Sequence, residues 1–225
     1  MENVGKRGKE CDMADYNLSR LNFLIVDDNK HMRALVKSIL HALGVKSILE
    51  AGDGADAFKE LRHFPADLII CDWSMSPLDG LDFVRMVRTG TDSPNPFVPI
   101  IMLTGHTEMH RVMEARDSGV HEFLAKPISA KGIYSRIRAI IESPRPFIRA
   151  GLYFGPDRRR KENPNYNGPE RRKTNKGEVE GSVNSISDKL KEPSADAKAA
   201  DDGGGGDGGE TPELSQDEIN ALLNG

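Results

Sequence analysis

The sequence predicts an α/β fold: a five-stranded parallel sheet, doubly wound with five helices, ahead of a long disordered tail that ends in a short amphipathic helix. Two observations predict this fold. Five short apolar runs alternate with helix-length amphipathic segments through the first two thirds of the chain, and the remaining third lacks such runs. Continuous Ile, Val and Leu runs are typical of strands buried on both faces of a sheet. Because helices separate these strands, neighbouring strands are expected to be parallel.

The order of the elements follows from the apolar runs and from the glycines that end helices. Gly44, Gly90 and Gly119 follow helical stretches, where a residue without a Cβ favours the end of a helix. Residues 1–19 are polar and predict a flexible arm, and residues 20–144 are long enough for one folded core. The strands are predicted near 22–26, 47–51, 68–71, 99–103 and 122–124, and the helices near 30–43, 54–64, 80–89, 107–118 and 129–142.

Composition indicates that the last third of the chain builds no core of its own. Hydrophobic residues make up 37% of the chain, and the mean hydropathy of −0.51 is low for a wholly globular protein. Residues 145–176 are predicted to form a basic Arg/Pro-rich linker, and residues 177–213 an acidic, Gly/Ser-rich disordered linker. Such segments bury too little apolar surface to offset the entropy lost on ordering them.

A seven-residue pattern occurs twice in the basic segment. The sequence YFGPDRR at 153–159 recurs thirteen residues later as YNGPERR at 166–172. Two interpretations remain open: a solvated basic linker with a few hydrophobic anchors, or a segment that binds an anion such as RNA, a phosphorylated nucleotide or an acidic surface. The arginines that would hold the anion are Arg158, Arg159, Arg160, Arg171 and Arg172.

The last twelve residues, 214–225, predict a short amphipathic helix. Ser215 and Glu218 have the spacing of a capping box at a helix start. A helix this short is marginal alone in water, so its apolar face needs a surface to pack on. The alternative is an amphipathic end without a partner. The apolar positions are Leu214, Ile219, Leu222 and Leu223.

Cysteine usage and the N-terminus bear on location. Cys11 and Cys71 are far apart in sequence, and Cys71 falls in a predicted buried strand, which favours a reduced, cytoplasmic protein. The first fifteen residues are charged and lack the apolar segment of a signal peptide, and no stretch approaches 18 apolar residues. We therefore expect a cytoplasmic protein without a membrane span.

Polar residues stand directly after four of the five predicted strands. Asp27 and Asp28 follow the first strand, Asp72 the third, Thr104 the fourth and Lys126 the fifth. Ligands of open parallel sheets bind at the carboxyl ends of the strands, so these side chains are expected to meet at one edge. Carboxylate oxygens are suitable ligands for Mg²⁺, which keeps further positions for water and phosphate. The sequence therefore predicts a site for Mg²⁺ and a phosphoryl group.

The central position of Asp72 suits the nucleophile of a phosphoryl transfer that yields an aspartyl-phosphate. The cation and Lys126 would neutralise charge on the phosphoryl oxygens, and the Thr104 hydroxyl would reach the bound group and signal its presence. The alternative is that these carboxylates only cap the helices that follow them. That alternative explains one carboxylate easily, but it explains poorly why five polar residues of these types follow four strands.

Residues 20–143 resemble a response-regulator receiver domain, the family of the chemotaxis protein CheY, with its flavodoxin-like fold. Asp72 would then be the phosphoacceptor for a histidine kinase or phosphotransfer protein. The Mg²⁺ ligands would be Asp27, Asp28, Asp72 and the backbone carbonyl of Ser74. The motifs that carry the resemblance are Val26-Asp27-Asp28, Cys71-Asp72-Trp73-Ser74-Met75, Asp79-Gly80, Leu103-Thr104-Gly105 and Ala125-Lys126-Pro127.

The resemblance also implies a conformational switch. Lys126 would pair with the phosphate, the Lys126–Pro127 peptide would be cis, and Thr104 and Phe123 would form the coupled switch pair. An ordinary core position explains Phe123 as well. The chain would not be an enzyme with a separate substrate, but would catalyse its own phosphorylation and autodephosphorylation. The connection at 89–97 is long for this family.

The C-terminal segment 214–225 resembles the peptide by which flagellar motor switch proteins bind phosphorylated CheY. It would bind either the chain's own receiver domain or another receiver in trans, and both arrangements remain open. The favoured function is a two-component response regulator whose phosphorylation switches protein–protein contacts in chemotaxis or flagellar motility. The alternatives are a phosphorylation-gated binder of RNA or nucleotide and an enzyme such as a phosphatase, for which the sequence offers no separate catalytic constellation.

Overall fold

The five apolar runs form one parallel sheet in the computed structural model of the chain, which describes residues 16–105, 113–114, 116–151, 153–157, 177–178, 186 and 189–190. Its strands are β1 (Asn22–Val26), β2 (Ser47–Ala51), β3 (Leu68–Asp72), β4 (Ile100–Thr104) and β5 (Glu122–Ala125). They stand in the order β2-β1-β3-β4-β5, and every neighbouring pair is parallel. The predicted sheet is confirmed, with strand ends shifted by at most one residue.

Four α-helices are described over their whole length: α1 (Lys30–Ala42), α2 (Gly54–Glu60), α3 (Gly80–Thr89) and α4 (Ala130–Glu142). A side chain before each helix accepts backbone N–H groups of its first turn and so replaces missing intrahelical bonds. These caps are Asn29, Asp53, Asp79 and Ser129. The predicted helix near 107–118 lies mostly outside the described residues, so the total of five helices stays a prediction. No helix in the described part is long and apolar enough to cross a membrane.

The helix predicted over 54–64 is too long, because α2 ends at Glu60. The N–H groups of Arg62 and His63 donate to carbonyls three residues earlier instead of four, at 3.3 and 3.0 Å. Pro65 follows this tightened turn, and a proline disfavours helical backbone in the residue before it. The helix therefore stops one turn early.

The core lies on both faces of the sheet, as the continuous apolar runs predict. Leu24 and Val26 of β1 face α2 and α3, whereas Phe23 and Ile25 face α1 and α4. Burying such a side chain contributes about 1.5–3 kcal/mol. Asp27 stands where this run ends, at the carboxyl edge of the sheet.

The predicted N-terminal arm is shorter than expected. Residues Leu18–Arg20 form a 3₁₀ turn capped by the side chain of Asn17. Leu18 is fully buried in the apolar cluster between the sheet, α1 and α4. The assignment of 1–19 to a flexible arm is therefore wrong at its end, because one leucine anchors it, while residues 1–15 lie outside the described residues.

The segment after α4 forms a small antiparallel sheet where composition predicts a linker. Its strands are β6 (Phe147–Ala150), β7 (Tyr153–Pro156) and, from further along the chain, β8 (Gly177–Glu178), in the order β7-β6-β8. Phe147 and Phe154 are buried, and their ring centroids lie 5.0 and 5.4 Å from that of Phe97. The linker assignment of 145–176, and the domain end at 144, are therefore wrong for this hairpin. The composition of the segment is polar, but three aromatic rings provide the apolar surface that is buried where the hairpin packs.

The hairpin covers a buried arginine at the end of α3. The guanidinium of Arg88 donates to the carbonyls of Pro96, Val98 and Gly119 at 2.8, 2.8 and 3.0 Å. It also lies 5.3 Å from the Phe147 ring centroid, and burial lowers the Arg88 pKa to about 9. The long connection from α3 to β4 provides two of these carbonyls and the aromatic ring that Phe147 contacts. This departure from the family pattern thus forms the surface on which the hairpin packs.

Two more tail residues lie against the domain. Ile186 is buried in the same apolar cluster as Phe147. The Lys189 ammonium lies 2.8 Å from both carboxylate oxygens of Asp67, directly before β3. The disordered-linker assignment of 177–213 is therefore wrong at these positions and at β8. Residues 191–213 and the predicted helix 214–225 lie outside the described residues.

Candidate functional site

The polar residues that follow the strands meet at one edge of the sheet. One ligand oxygen from each of Asp27, Asp28 and Asp72 lies within 4.8 Å of the other two. Asp27 and Asp72 are buried, whereas Asp28 is exposed. The site is therefore a partly enclosed acidic cleft that opens to solvent beside Asp28.

Hydrogen bonds fix the position of Asp27, but one of its two carboxylate oxygens accepts no hydrogen bond among the described residues. Its Oδ1 accepts the N–H of Asn29 at 2.8 Å, and its own N–H donates to the Ala51 carbonyl at 3.3 Å. The Oδ2 atom is buried and has no hydrogen-bond partner among the described residues. Burial raises the pKa of Asp27, and the charges of Asp72 and Asp28 add to this, against the opposing effects of the Asn29 N–H and Lys126.

Lys126 supplies a positive charge at the centre of the site. Its Nζ lies 2.9 Å from Asp72 Oδ1 and 3.8 Å from Asp27 Oδ2. The Lys126 N–H donates to the carbonyl of Thr104 at 2.8 Å, which fixes the residue to the end of β4. The predicted cis peptide between Lys126 and Pro127 is present.

The carboxylates fit a small hard cation. A buried carboxylate oxygen without a hydrogen-bond partner is costly, and a cation coordinated to Asp27 Oδ2 would remove that cost. Mg²⁺ takes carboxylate oxygens and keeps waters in its remaining positions, which suits the exposed side of the cleft at Asp28. Asp27, Asp28 and Asp72 would hold the ion, which would supply positive charge to phosphoryl oxygens. Ser74, whose carbonyl is the fourth predicted ligand, lies exposed two residues after Asp72.

Thr104 and Phe123 lie on the same face of the sheet. Thr104 pairs with Ala125 and Met102 with Phe123 in the register of β4 and β5, and side chains two residues apart on a strand share a face. Thr104 is buried, while Phe123 is partly buried against the core beside α2 and α3. The coupling of the two residues in a switch stays a prediction.

The backbone after Asp72 is approached closely by the start of α3. A Cβ on Gly80 would lie 2.1 Å from the Asp72 carbonyl oxygen, which is too close for any side-chain atom. The Gly80 N–H donates to the Trp73 carbonyl at 2.9 Å. Glycine at position 80 therefore lets α3 pack on the segment that carries the central carboxylate.

Sequence reasoning misses Arg33, which reaches the site from α1. Its Nη1 donates to the Asp27 backbone carbonyl at 2.7 Å. The residue lies one helical turn after the cap of α1, so the only sequence signal is a basic residue close behind the acidic pair. The five arginines of the repeat and residues 214–225 lie outside the described residues, and their predicted roles stay predictions.

Comparison with known proteins identifies the family of the domain. The family model for the response regulator receiver domain matches residues 23–138. The chemotaxis protein CheY of Pseudomonas aeruginosa is 33% identical over 122 residues, which are 54% of this chain and 97% of that protein. CheY-3 of Vibrio cholerae is 31% identical over 122 residues, 54% of this chain and 92% of that protein. The solved structure of Vibrio cholerae CheY4 is 28% identical and covers 53% of this chain and 98% of its own, with a TM-score of 0.49. The family match ends before β6 begins.

Proposed function

The chain belongs to the response regulator receiver domain family, and we propose that it is a two-component response regulator phosphorylated on Asp72 with Mg²⁺ as cofactor. The donor is a histidine kinase or phosphotransfer protein. The observation that carries this proposal is the Asp72 carboxylate, which lies 2.9 Å from the Lys126 ammonium and close to Asp27 Oδ2, a buried oxygen without a hydrogen bond among the described residues. One negative nucleophile, one fixed cationic side chain and one buried carboxylate oxygen without a hydrogen bond suit phosphoryl transfer.

Transfer forms one bond and breaks one. A carboxylate oxygen of Asp72 attacks the phosphorus of the donor's phosphohistidine, and an O–P bond forms as the P–N bond breaks. The electron pair of the P–N bond returns to the imidazole nitrogen, and the product is an acyl phosphate on Asp72. In autodephosphorylation, water attacks the same phosphorus and releases inorganic phosphate and the free carboxylate. We propose that the chain acts only on itself and is not an enzyme with a separate substrate.

Lys126 serves two states of the site in this proposal. In the structure its ammonium pairs with Asp72, which limits repulsion between the clustered carboxylates. After transfer the same ammonium pairs with a phosphoryl oxygen. The hydroxyl of Thr104 moves toward the phosphoryl group, and Phe123 turns into the space that this movement leaves.

The proposed output is a change in protein–protein contacts in chemotaxis or flagellar motility, in the cytoplasm. Its support is the similarity to proteins named chemotaxis protein CheY and the predicted docking helix at 214–225. That helix is proposed to bind this or another receiver domain. Binding of RNA or nucleotide by the arginine repeat gains no support from the comparisons, and no described residue favours it.

The test is phosphorylation of the full chain by a labelled small acyl phosphate, with and without Mg²⁺. We expect label on the wild type only with Mg²⁺, and none on Asp72→Asn. The control is Asp56→Asn, which replaces an exposed carboxylate on α2 and should leave labelling unchanged. Equal labelling of Asp72→Asn and wild type would contradict the proposal.

A second experiment addresses the docking helix. Deleting residues 214–225 and measuring hydrogen exchange on α4, with and without beryllofluoride, tests binding to the chain's own domain. We expect protection of α4 that depends on both the segment and activation. Identical protection in both proteins excludes the arrangement in cis, and retention of a second receiver domain by the segment then supports the arrangement in trans.

A further inference from the structure

We propose that Arg33 is a positioning residue for the cation site, because it fixes the backbone of Asp27 so that Oδ2 stays directed into the cleft. The inference rests on the proposed function, since it concerns the same Mg²⁺ site. Neither the acidic motif nor the chemistry of phosphoryl transfer requires a residue at this position. What assigns the role is the set of hydrogen bonds around Asp27.

Apart from Oδ2, each polar group of Asp27 makes a hydrogen bond with a surrounding residue. Its N–H donates to the carbonyl of Ala51 on β2 at 3.3 Å. Its carbonyl accepts from Arg33 Nη1 at 2.7 Å, and its Oδ1 accepts the Asn29 N–H at 2.8 Å. Only Oδ2 is left without a hydrogen bond among the described residues. Three hydrogen bonds therefore fix Asp27, and its Oδ2 is the oxygen available to a ligand.

Arg33 is itself held from the other side. Its Nε lies 3.5 Å from Glu50 Oε2, and Glu50 Oε1 accepts from Lys37 Nζ at 2.8 Å. Glu50 lies on β2 in register with Ile25 of β1, so the acid is fixed next to the strand that directly precedes Asp27. The Lys37 hydrogen bond and the charges of Lys37 and Arg33 lower the pKa of Glu50. The acid therefore stays charged as an anchor.

The guanidinium suits this bridge better than an ammonium does. Arg carries several N–H donors in one rigid plane, so Nη1 and Nε can reach two acceptors on different elements at once. The side chain of Arg33 is only 18% exposed, so surrounding atoms restrict its position. A lysine at position 33 would keep the charge and lose the planar bridge.

Positioning and simple electrostatics predict opposite effects of removing Arg33. The positive charge of Arg33 repels a cation in the cleft, so its removal should tighten Mg²⁺ binding if charge alone matters. If Arg33 holds Asp27 in place, its removal loosens a ligand and should weaken binding. The sign of the change in Mg²⁺ affinity therefore separates the two roles.

The experiment is a Mg²⁺ titration of the full chain followed by the fluorescence of Trp73. It is the one tryptophan of the sequence and directly follows Asp72. We expect the apparent Kd for Mg²⁺ to rise about three- to tenfold in Arg33→Gln, in line with the loss of one hydrogen bond to a ligand residue. Arg33→Lys should weaken binding as well, because it keeps the charge without the bridge.

The control is Lys59→Gln, which also removes a positive charge but replaces an exposed residue on α2, away from Asp27, Arg33 and Glu50. It should leave the Kd unchanged or slightly lower. Arg33→Gln binding Mg²⁺ as tightly as wild type, or more tightly, overturns the inference. If urea titrations without Mg²⁺ show that Arg33→Gln is unfolded, the Mg²⁺ affinity of Arg33→Lys tests the inference instead. A wild-type protein that does not bind Mg²⁺ overturns the proposed function itself, and so the two failures are distinguishable.

Discussion

Replacing Phe147 with alanine tests whether the β6–β7 hairpin is part of the folded domain. The side chain is 1% exposed, and its ring centroid lies 5.0 Å from that of Phe97 and 5.5 Å from that of Phe154. It also covers the buried guanidinium of Arg88. The substitution therefore removes the ring at the centre of an aromatic cluster and uncovers a buried charge.

The expected loss is large for a residue outside the matched family segment. Phe→Ala substitutions at buried positions cost about 3–5 kcal/mol in unfolding free energy, against total stabilities of about 5–15 kcal/mol. If residues 145–176 were a solvated linker, the same substitution would change stability by less than about 0.5 kcal/mol. The two descriptions differ by several kcal/mol, far more than the uncertainty of a denaturation experiment.

Urea unfolding of the full chain is the assay. With an m-value of about 2 kcal/mol/M, Phe147→Ala should lower the unfolding midpoint by about 2 M. The control Leu35→Ala, at a position on α1 that is 44% exposed, should lower it by much less. Because Phe147 packs at the opposite end of the strands from Asp72, the variant should keep the Trp73 response to Mg²⁺ where it is folded. A midpoint equal to that of wild type would refute the packing argument.

Two further predictions concern pH and metal binding. His121 is buried beside Arg88 and Arg145, and its pKa lies well below the usual value because of burial first and these charges second. His121 takes up a proton near pH 6.5 in the unfolded chain but stays neutral in the folded chain. The unfolding free energy should therefore fall by up to about 1.4 kcal/mol per pH unit below pH 6.5. His121→Asn should flatten this slope relative to the surface control His63→Asn, and equal slopes in urea titrations between pH 7.5 and 5 would contradict it. Asp27→Asn should make the protein without Mg²⁺ more stable at neutral pH, because the neutral amide avoids burying a charge, while removing the gain of about 2.7 kcal/mol that wild type receives at Mg²⁺ a hundredfold above its Kd. A Mg²⁺ gain in Asp27→Asn equal to that of wild type would contradict the assignment of Asp27 as a ligand.

The sheet and the acidic cleft are predictable because their signals are local. A strand buried on both faces must be apolar throughout, so each apolar run shows directly where a strand lies. The polar residue after the run then marks the carboxyl edge of the sheet. Asp27, Asp72 and Lys126 need no knowledge of distant contacts to be placed together. The parallel order of the strands then brings them to one edge.

The hairpin and Arg33 are not predictable in this way, because their environments come from distant residues. Phe147 is a single aromatic residue in a basic segment, and its burial depends on Phe97, fifty positions earlier. Arg88 has the sequence signature of a surface residue at a helix end, yet three carbonyls from a loop and a turn surround it. Composition describes what a segment can bury, and it does not describe what the rest of the chain offers as a surface.

The two ends of the strands carry separate tasks, and this separation explains how an extension can be added without loss of the chemistry. Asp72, Thr104 and Lys126 stand at the carboxyl ends of their strands, where a parallel sheet leaves a cleft. Asp67 and His121 stand directly before β3 and β5, about 17 Å away at 3.3 Å per residue, and these amino ends contact Lys189 and the Phe147 ring. Parallel crossovers leave backbone groups exposed at both ends of the sheet, but only the carboxyl end must stay open for a phosphodonor. The amino end is therefore free to gain stability from a covering hairpin.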